Sequence, residues 1–91
     1  MNNDRRSRIE KVREIVNRTR VELEQLRDGE ADNLHTEERE AFESLAEGFQ
    51  QSERGQASEA AADALESAYD AIDYAVTSLE EAYESYEEAA Q

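Results

Sequence analysis

Between Arg5 and Asp28 the apolar residues fall at alternating steps of three and four: Ile9, Val12, Val16, Leu23 and Leu26, with Thr19 as one polar member. That spacing is the a/d seam of a heptad helix. Arg13, Arg20 and Arg27 recur every seven residues at the flanking e position. The pattern predicts a helix over about 5–28, stopped by Gly29, with "DGEADNLH" as a loop. Thr36 then reads as an N-cap, with Glu37 and Glu38 where the helix dipole favours them. A short helix over about 37–47 would bury Ala41, Phe42 and Leu45. Gly48 could end it in the left-handed conformation, with Phe49 folding back as the apolar contact of the cap.

The chain then restarts. Ser52 is a good N-cap with Glu53 in the first turn, and the expected helix runs over about 53–90. Gly55 inside it costs about 1 kcal/mol relative to alanine, which points to a close backbone neighbour or a bend. A seven-residue repeat follows. Leu65, Ile72, Leu79 and Tyr86 fall at a, Ala61, Ala68, Ala75, Ala82 and Ala89 at d, and Ala62, Tyr69, Val76, Tyr83 and Ala90 at e. Alanine at every d lets a partner helix approach to about 8 Å, the short end of the usual range. The long helix should measure about 57 Å and the first about 36 Å, so a single hairpin would leave apolar stripe uncovered. The expected architecture is all-α: a helical hairpin with a short middle helix and a long C-terminal heptad helix, in one domain. A second copy is the economical cover, giving a homodimeric antiparallel bundle whose seam is Leu65, Ala68, Ile72, Ala75, Leu79, Ala82 and Tyr86.

Composition sharpens this picture. Of 91 residues 37% are hydrophobic, many of them alanine, so one chain has little with which to build a core. There is no proline and no cysteine, hence no disulfide or thiolate chemistry. No apolar run is long enough for a membrane span, and "MNNDRRSRIEKVRE" has no apolar segment after its charges, so neither a membrane nor a secretory role is expected. A cytoplasmic protein is the expectation.

The formal net charge of -14 is unevenly placed. Residues 1–29 carry eight basic side chains against six acidic, whereas residues 57–91 carry ten acidic and none basic. Such a surplus repels nucleic acid and anionic membrane, so direct nucleic-acid binding is not expected. Glu59, Asp63, Glu66, Asp70, Asp73, Glu80, Glu84 and Glu87 form a stripe at b and f. The stripe reads either as a solvated helix face or as a binding surface for a basic partner. Its step of about 6 Å matches the phosphate spacing of a nucleic-acid strand, about 3.4 Å, only loosely. Tyr74 stands at c, outside the seam, where it could anchor a partner; the other three tyrosines of the last helix suit core-edge packing. An arginine such as Arg13 or Arg20 could lie across one of those rings.

No catalytic constellation is present. The lone His35 has Asp32 three residues before it, and no Glu-x-x-His pair exists for a di-iron bundle. No Gly-rich phosphate loop or nucleophile elbow occurs, and carboxylates on a convex helix lack the concave site that separates two pKa values. Neither an enzyme nor a cofactor or metal protein is expected.

The stretch "LAEGFQQSERG", Leu45 to Gly55, followed by an Ala/Glu-rich heptad helix, resembles a family of small acidic helical proteins of bacteriophages. In that family a Leu-Pro-Glu turn precedes a Leu-Gln pair and Ser-Glu-Arg-Gly-Glu; here Ala46, Phe49 and Gln56 stand where the proline, the second leucine and the last glutamate would be. The resemblance covers about residues 20–91. It implies a phage-encoded accessory protein acting inside a bacterial host, and carries no activity with it. The expected function is therefore a non-enzymatic interaction protein that binds and modulates a host protein, a defence component among the candidates. Glu66, Asp70, Asp73, Tyr74, Glu80 and Glu84, with Phe42 and Phe49 at the knuckle, would form its surface. Two alternatives stand beside it: a structural, virion-associated coiled-coil module, and a nucleic-acid mimic that inhibits a DNA- or RNA-binding protein. An acidic, lysine-poor surface also suits a high-salt cytoplasm.

Overall fold

The computed structural model describes residues 2–91, and the elements run α1 (Asn3–Leu26), a wide turn (Arg27–Ala31), α2 (Asp32–Glu43), α3 (Glu47–Gln50) and α4 (Glu53–Ala90). Asn2 caps α1 by accepting a hydrogen bond from the Arg5 amide at 2.7 Å. The helix expected to end at Gly29 does not end there. The chain passes through one π-type turn, kinked at Gly29 (φ -107°, ψ -110°), and resumes as α2. Thr36 and His35 consequently lie inside α2 rather than in a loop, and α2 ends at Glu43 rather than near residue 47.

The wide turn has a visible cause in the heptad phase. Leu23, Leu26 and Arg27 at a, d and e are followed eight residues later by Ala31, Leu34 and His35. One extra residue must be absorbed if the apolar face is to continue unrotated, and a π turn absorbs one. Beyond it Glu38 and Leu45 take a, Ala41 takes d and Phe42 takes e. Every a and e residue from Ala31 to Leu45 is half-buried, and both d residues, Leu34 and Ala41, are exposed.

The corner reverses the chain in a few residues. The Gln50 side-chain amide donates from Nε2 toward the carbonyls of Leu45 (3.0 Å), Phe42 (3.3 Å) and Glu43 (3.4 Å), tying the corner to the end of α2, where carbonyls run out of helical partners. No glycine has positive φ, so the left-handed cap expected at Gly48 is not formed. Phe49, expected to fold back, is 67% exposed, and Gln50 holds the corner in its place. Ser52 caps α4 as expected, accepting from the Gly55 amide at 3.1 Å. Gly55 is buried because the backbone of α3 lies directly on it: a Cβ there would fall 2.7 Å from the Gln50 carbonyl carbon.

α1 and α2, joined through the wide turn, form one kinked rod that returns along α4 in antiparallel register. Arg13 meets Tyr83 and Glu87, Arg27 meets Asp73, and Arg39 meets Asp63, so contacting residue numbers sum to about 100 throughout. The molecule measures 68 × 16 × 14 Å. The expectation that the first helix leaves α4 partly uncovered along its length is thereby corrected, since the rod matches α4 end to end.

Candidate functional site

Two helices have three kinds of surface: the seam between them, two flanks, and two outward faces. Each is assigned by heptad position. Within the chain the two helices meet along an a/e seam, with d at its edge, although the spacing marks a and d. Ala62 and Val76, both at e, are the two fully buried apolar residues among those described, with Tyr69 and Tyr83 half-buried in the same row. Leu65, Ile72 and Leu79 at a are half-buried, and Ser58, also at a, donates to Glu38 at 2.9 Å near the corner. The d alanines lie at the seam's edge: Ala75 and Ala82 are partly covered, and Ala61 and Ala68 are exposed.

The flank formed by e and b on the rod and by b and f on α4 is closed by cations. The Arg13 guanidinium stacks over the Tyr83 ring at 4.4 Å and reaches Glu87 at 3.5 Å. Arg20, the other candidate for such stacking, pairs with Glu24 at 2.8 Å instead. Arg27 bridges Asp28 and Asp73, both at 2.9 Å, and Arg39 pairs with Asp63 and Glu66. The hydrogen bonds that Arg27 donates to Asp28 and to Asp73 raise its pKa, while that guanidinium holds the Asp28 carboxyl below the usual range. Arg39 is raised likewise, chiefly by its hydrogen bond with Asp63. Between the two arginine clusters His35 packs on Tyr69 with ring centroids 4.7 Å apart, and its Nε2 lies 3.0 Å from Asp32.

This ladder divides the acidic stripe. Asp63, Glu66, Asp73 and Glu87 are engaged by arginines of the same chain. Among the described residues Glu59, Asp70, Glu80 and Glu84 have no ion pair and are exposed. Tyr74 is 75% exposed, with Asp70 one turn before it and Glu81 two turns after. Thus Asp70 and Glu84 at f and Tyr74 at c share the outward side of α4, whereas Glu66 and Asp73 at b belong to the flank, as does Glu80, which has no ion pair there. Phe42 is half-buried at the corner, and Phe49 is exposed there. The corner is about 30 Å from Tyr74 along α4, so the two aromatic features do not form one site.

The opposite flank, at d, carries no such ladder. Val12 (41% exposed), Leu26 (45%) and Leu34 (47%) line it from the rod, and the alanine row lines it from α4. Near the middle Leu26, Ala31, Leu34, Leu65, Ala68 and Ile72 form a shallow apolar groove. At the far end Arg5, Arg8, Ile9, Val12 and Tyr86 form a second groove, with two arginines on an apolar floor. Heptad counting that stopped at Gly29 missed Leu34 in this row; the eight-residue step from Leu26 was the signal that could have found it.

Among the described residues no three of His, Cys, Asp and Glu are placed to hold a metal ion, and no helix is long and apolar enough to cross a membrane. Comparison with known protein families, with curated proteins and with solved structures finds no match to this chain.

Proposed function

We propose that this chain is a non-enzymatic interaction protein that acts as a homodimer and binds a protein of basic surface through the free side of α4. The observation that carries the reading is Tyr74, three-quarters exposed on a long helix, with the unpaired Asp70 one turn before it and further unpaired carboxylates along the same helix. An exposed tyrosine is a strong interface anchor because it contributes a large apolar area and a hydroxyl at little entropic cost. Asp70 beside it, with Glu80 and Glu84 further along α4, would select a cationic partner and speed its encounter. The resemblance to phage proteins makes that partner a protein of a bacterial host and this chain a phage-encoded modulator of it. The nucleic-acid mimic is less well supported, because four of the eight stripe carboxylates already face arginines of their own chain.

The test is capture from bacterial lysate on tagged protein, with mass spectrometry, followed by affinity measurement on the purified partner. Wild-type binding should weaken steeply with salt. Tyr74→Ala should weaken it about thirtyfold or more, as loss of an anchor worth about 2 kcal/mol does. Asp70→Asn, Glu80→Gln and Glu84→Gln together should remove most of the salt dependence. A partner that binds all these variants as tightly as wild type, at every salt concentration, would overturn the reading.

A further inference from the structure

The flank at d is mostly apolar and open, and its occupant can be argued from area, size and charge. The chain exposes 6563 Å², against about 5,400 Å² for a compact monomer of 10.4 kDa. The surplus, about 1,200 Å², exceeds the roughly 800 Å² that each partner contributes to a stable interface. The opposite flank is sealed by arginines, so a second copy has one apolar face on which to sit.

Two two-fold arrangements bring such faces together. With the axis across the hairpin, ends are inverted and α4 lies on α4. With the axis along the hairpin, like ends meet and the α1–α2 rod of each copy lies on α4 of the other. The rod presents Val12, Leu26 and Leu34 at d, with Arg5, Thr19 and Ala41 in the same row, and from Ala61 to Ala89 α4 presents alanine at every d. Large residues fit into an alanine row, whereas alanine on alanine beside leucine on leucine would splay the layers. Charge agrees. Residues 57–91 carry ten acidic side chains and no basic one, so a second α4 offers this helix no counter-charge. Laying the rod on α4 sets Arg5 and Arg8, at the groove's end and without ion pairs among the described residues, against the Glu84–Glu88 end.

We infer that two copies pair through the d flank about a two-fold axis parallel to the long axis, forming a four-helix bundle in which every neighbouring pair of helices is antiparallel. The inference takes the homodimer from the reading above and adds its axis and its face; it does not depend on the partner of Tyr74.

The chain has no cysteine, so a single label can be introduced at the exposed corner with Glu47→Cys. Light scattering on the labelled protein should give twice the chain mass. Pulsed electron spin resonance should then give one separation of less than about 35 Å, because like ends lie across a bundle of helices about 10 Å apart. A dimer with a separation near the 68 Å length of the molecule would overturn the inference and leave the homodimer standing. A fully helical monomer at micromolar concentration would overturn both. Ala68→Arg, on the exposed alanine row, should shift the dimer to monomer with at least a tenfold loss of association, while the Tyr74 surface stays intact. An unchanged association would place the interface elsewhere and refute the face.

Discussion

Replacing Gly55 with alanine sets two well-characterised effects against each other. In an open helix the change stabilises by about 0.5–1 kcal/mol, because glycine loses more backbone freedom on folding. At Gly55 the new methyl would stand against backbone, not a movable side chain. Its Cβ would lie 2.7 Å from the Gln50 carbonyl carbon, where ordinary contact begins at 3.4 Å, and still deeper against the Phe49 carbonyl oxygen. α3 would have to retreat by about 0.7 Å or more. It is held by the three acceptors of Gln50 at the end of α2, so retreat weakens those hydrogen bonds, each worth about 0.5–1.5 kcal/mol. Overpacking itself costs about 1–3 kcal/mol. The net expectation is destabilisation of about 1–2 kcal/mol, a fall in Tm of about 4–15 °C at this chain length. Thermal unfolding followed by circular dichroism measures it, with protein concentration held fixed because an assembled chain unfolds in a concentration-dependent way. Gly48→Ala is the control: its Cβ would meet nothing within 4 Å, so its Tm should hold or rise. If Gly55→Ala also matches or exceeds wild type, the close approach of α3 to α4 is wrong, and with it the account of the corner.

Deleting Gly29 should convert the π turn to an α turn and restore an unbroken heptad from Leu26 to Leu34, so helicity and Tm should change little; inserting one more residue there should rotate α2 by about 100° and lower Tm sharply. Ala62→Leu, at a fully buried position, should cost about 1–3 kcal/mol by chemical denaturation, and no cost would mean the seam lies elsewhere. Tyr83→Phe removes the acceptor 3.1 Å from Arg13 but keeps the stacked ring, and Tyr83→Leu removes both; losses of about 0.5–1.5 kcal/mol and then about 0.5–1 kcal/mol more are expected from the same assay. Asp28 is held below its usual pKa by Arg27, so its contribution is present above the unfolded carboxylate value near pH 4 and is lost as pH falls through the lower folded value. Wild type should accordingly exceed Asp28→Asn in stability at pH 6, and the two should converge in acid; a constant difference across that range would refute the pairing.

Much of this fold is legible in the residues. Ser52 caps α4 as its position before Glu53 suggests, and Gly55 marks a close backbone. Arg13, expected over a tyrosine ring, lies over Tyr83. The failures cluster where local rules compete with packing. Gly29 reads as a stop because glycine is the usual residue after a helix, yet helix-forming neighbours and a face that must meet α4 carry the chain through it as a kink. Thr36 reads as an N-cap for the same reason, although helix already surrounds it. Phe49 looks like the apolar contact of a cap, and Gln50 holds the corner in its place because its two amide hydrogens reach a cluster of carbonyls at the end of α2.

What the sequence alone determined is the periodic part: an all-helical chain, its heptad phase, the cap that opens α4 and the separation of a basic rod from an acidic helix. These follow from spacing, and spacing is local. Which part of a three-wide a/d/e stripe would face the other helix was not local. Alanine at d invites close contact as readily as valine and tyrosine at e, so spacing by itself is consistent with either edge. The tertiary structure decided for e, because only from that side can Arg13, Arg27 and Arg39 reach the carboxylates of α4. That choice leaves the alanine row open and divides the acidic stripe into paired and free halves. Both results depend on how two helices are rotated about their own axes, a quantity set by contacts between residues more than twenty positions apart and invisible to any rule that reads one helix at a time.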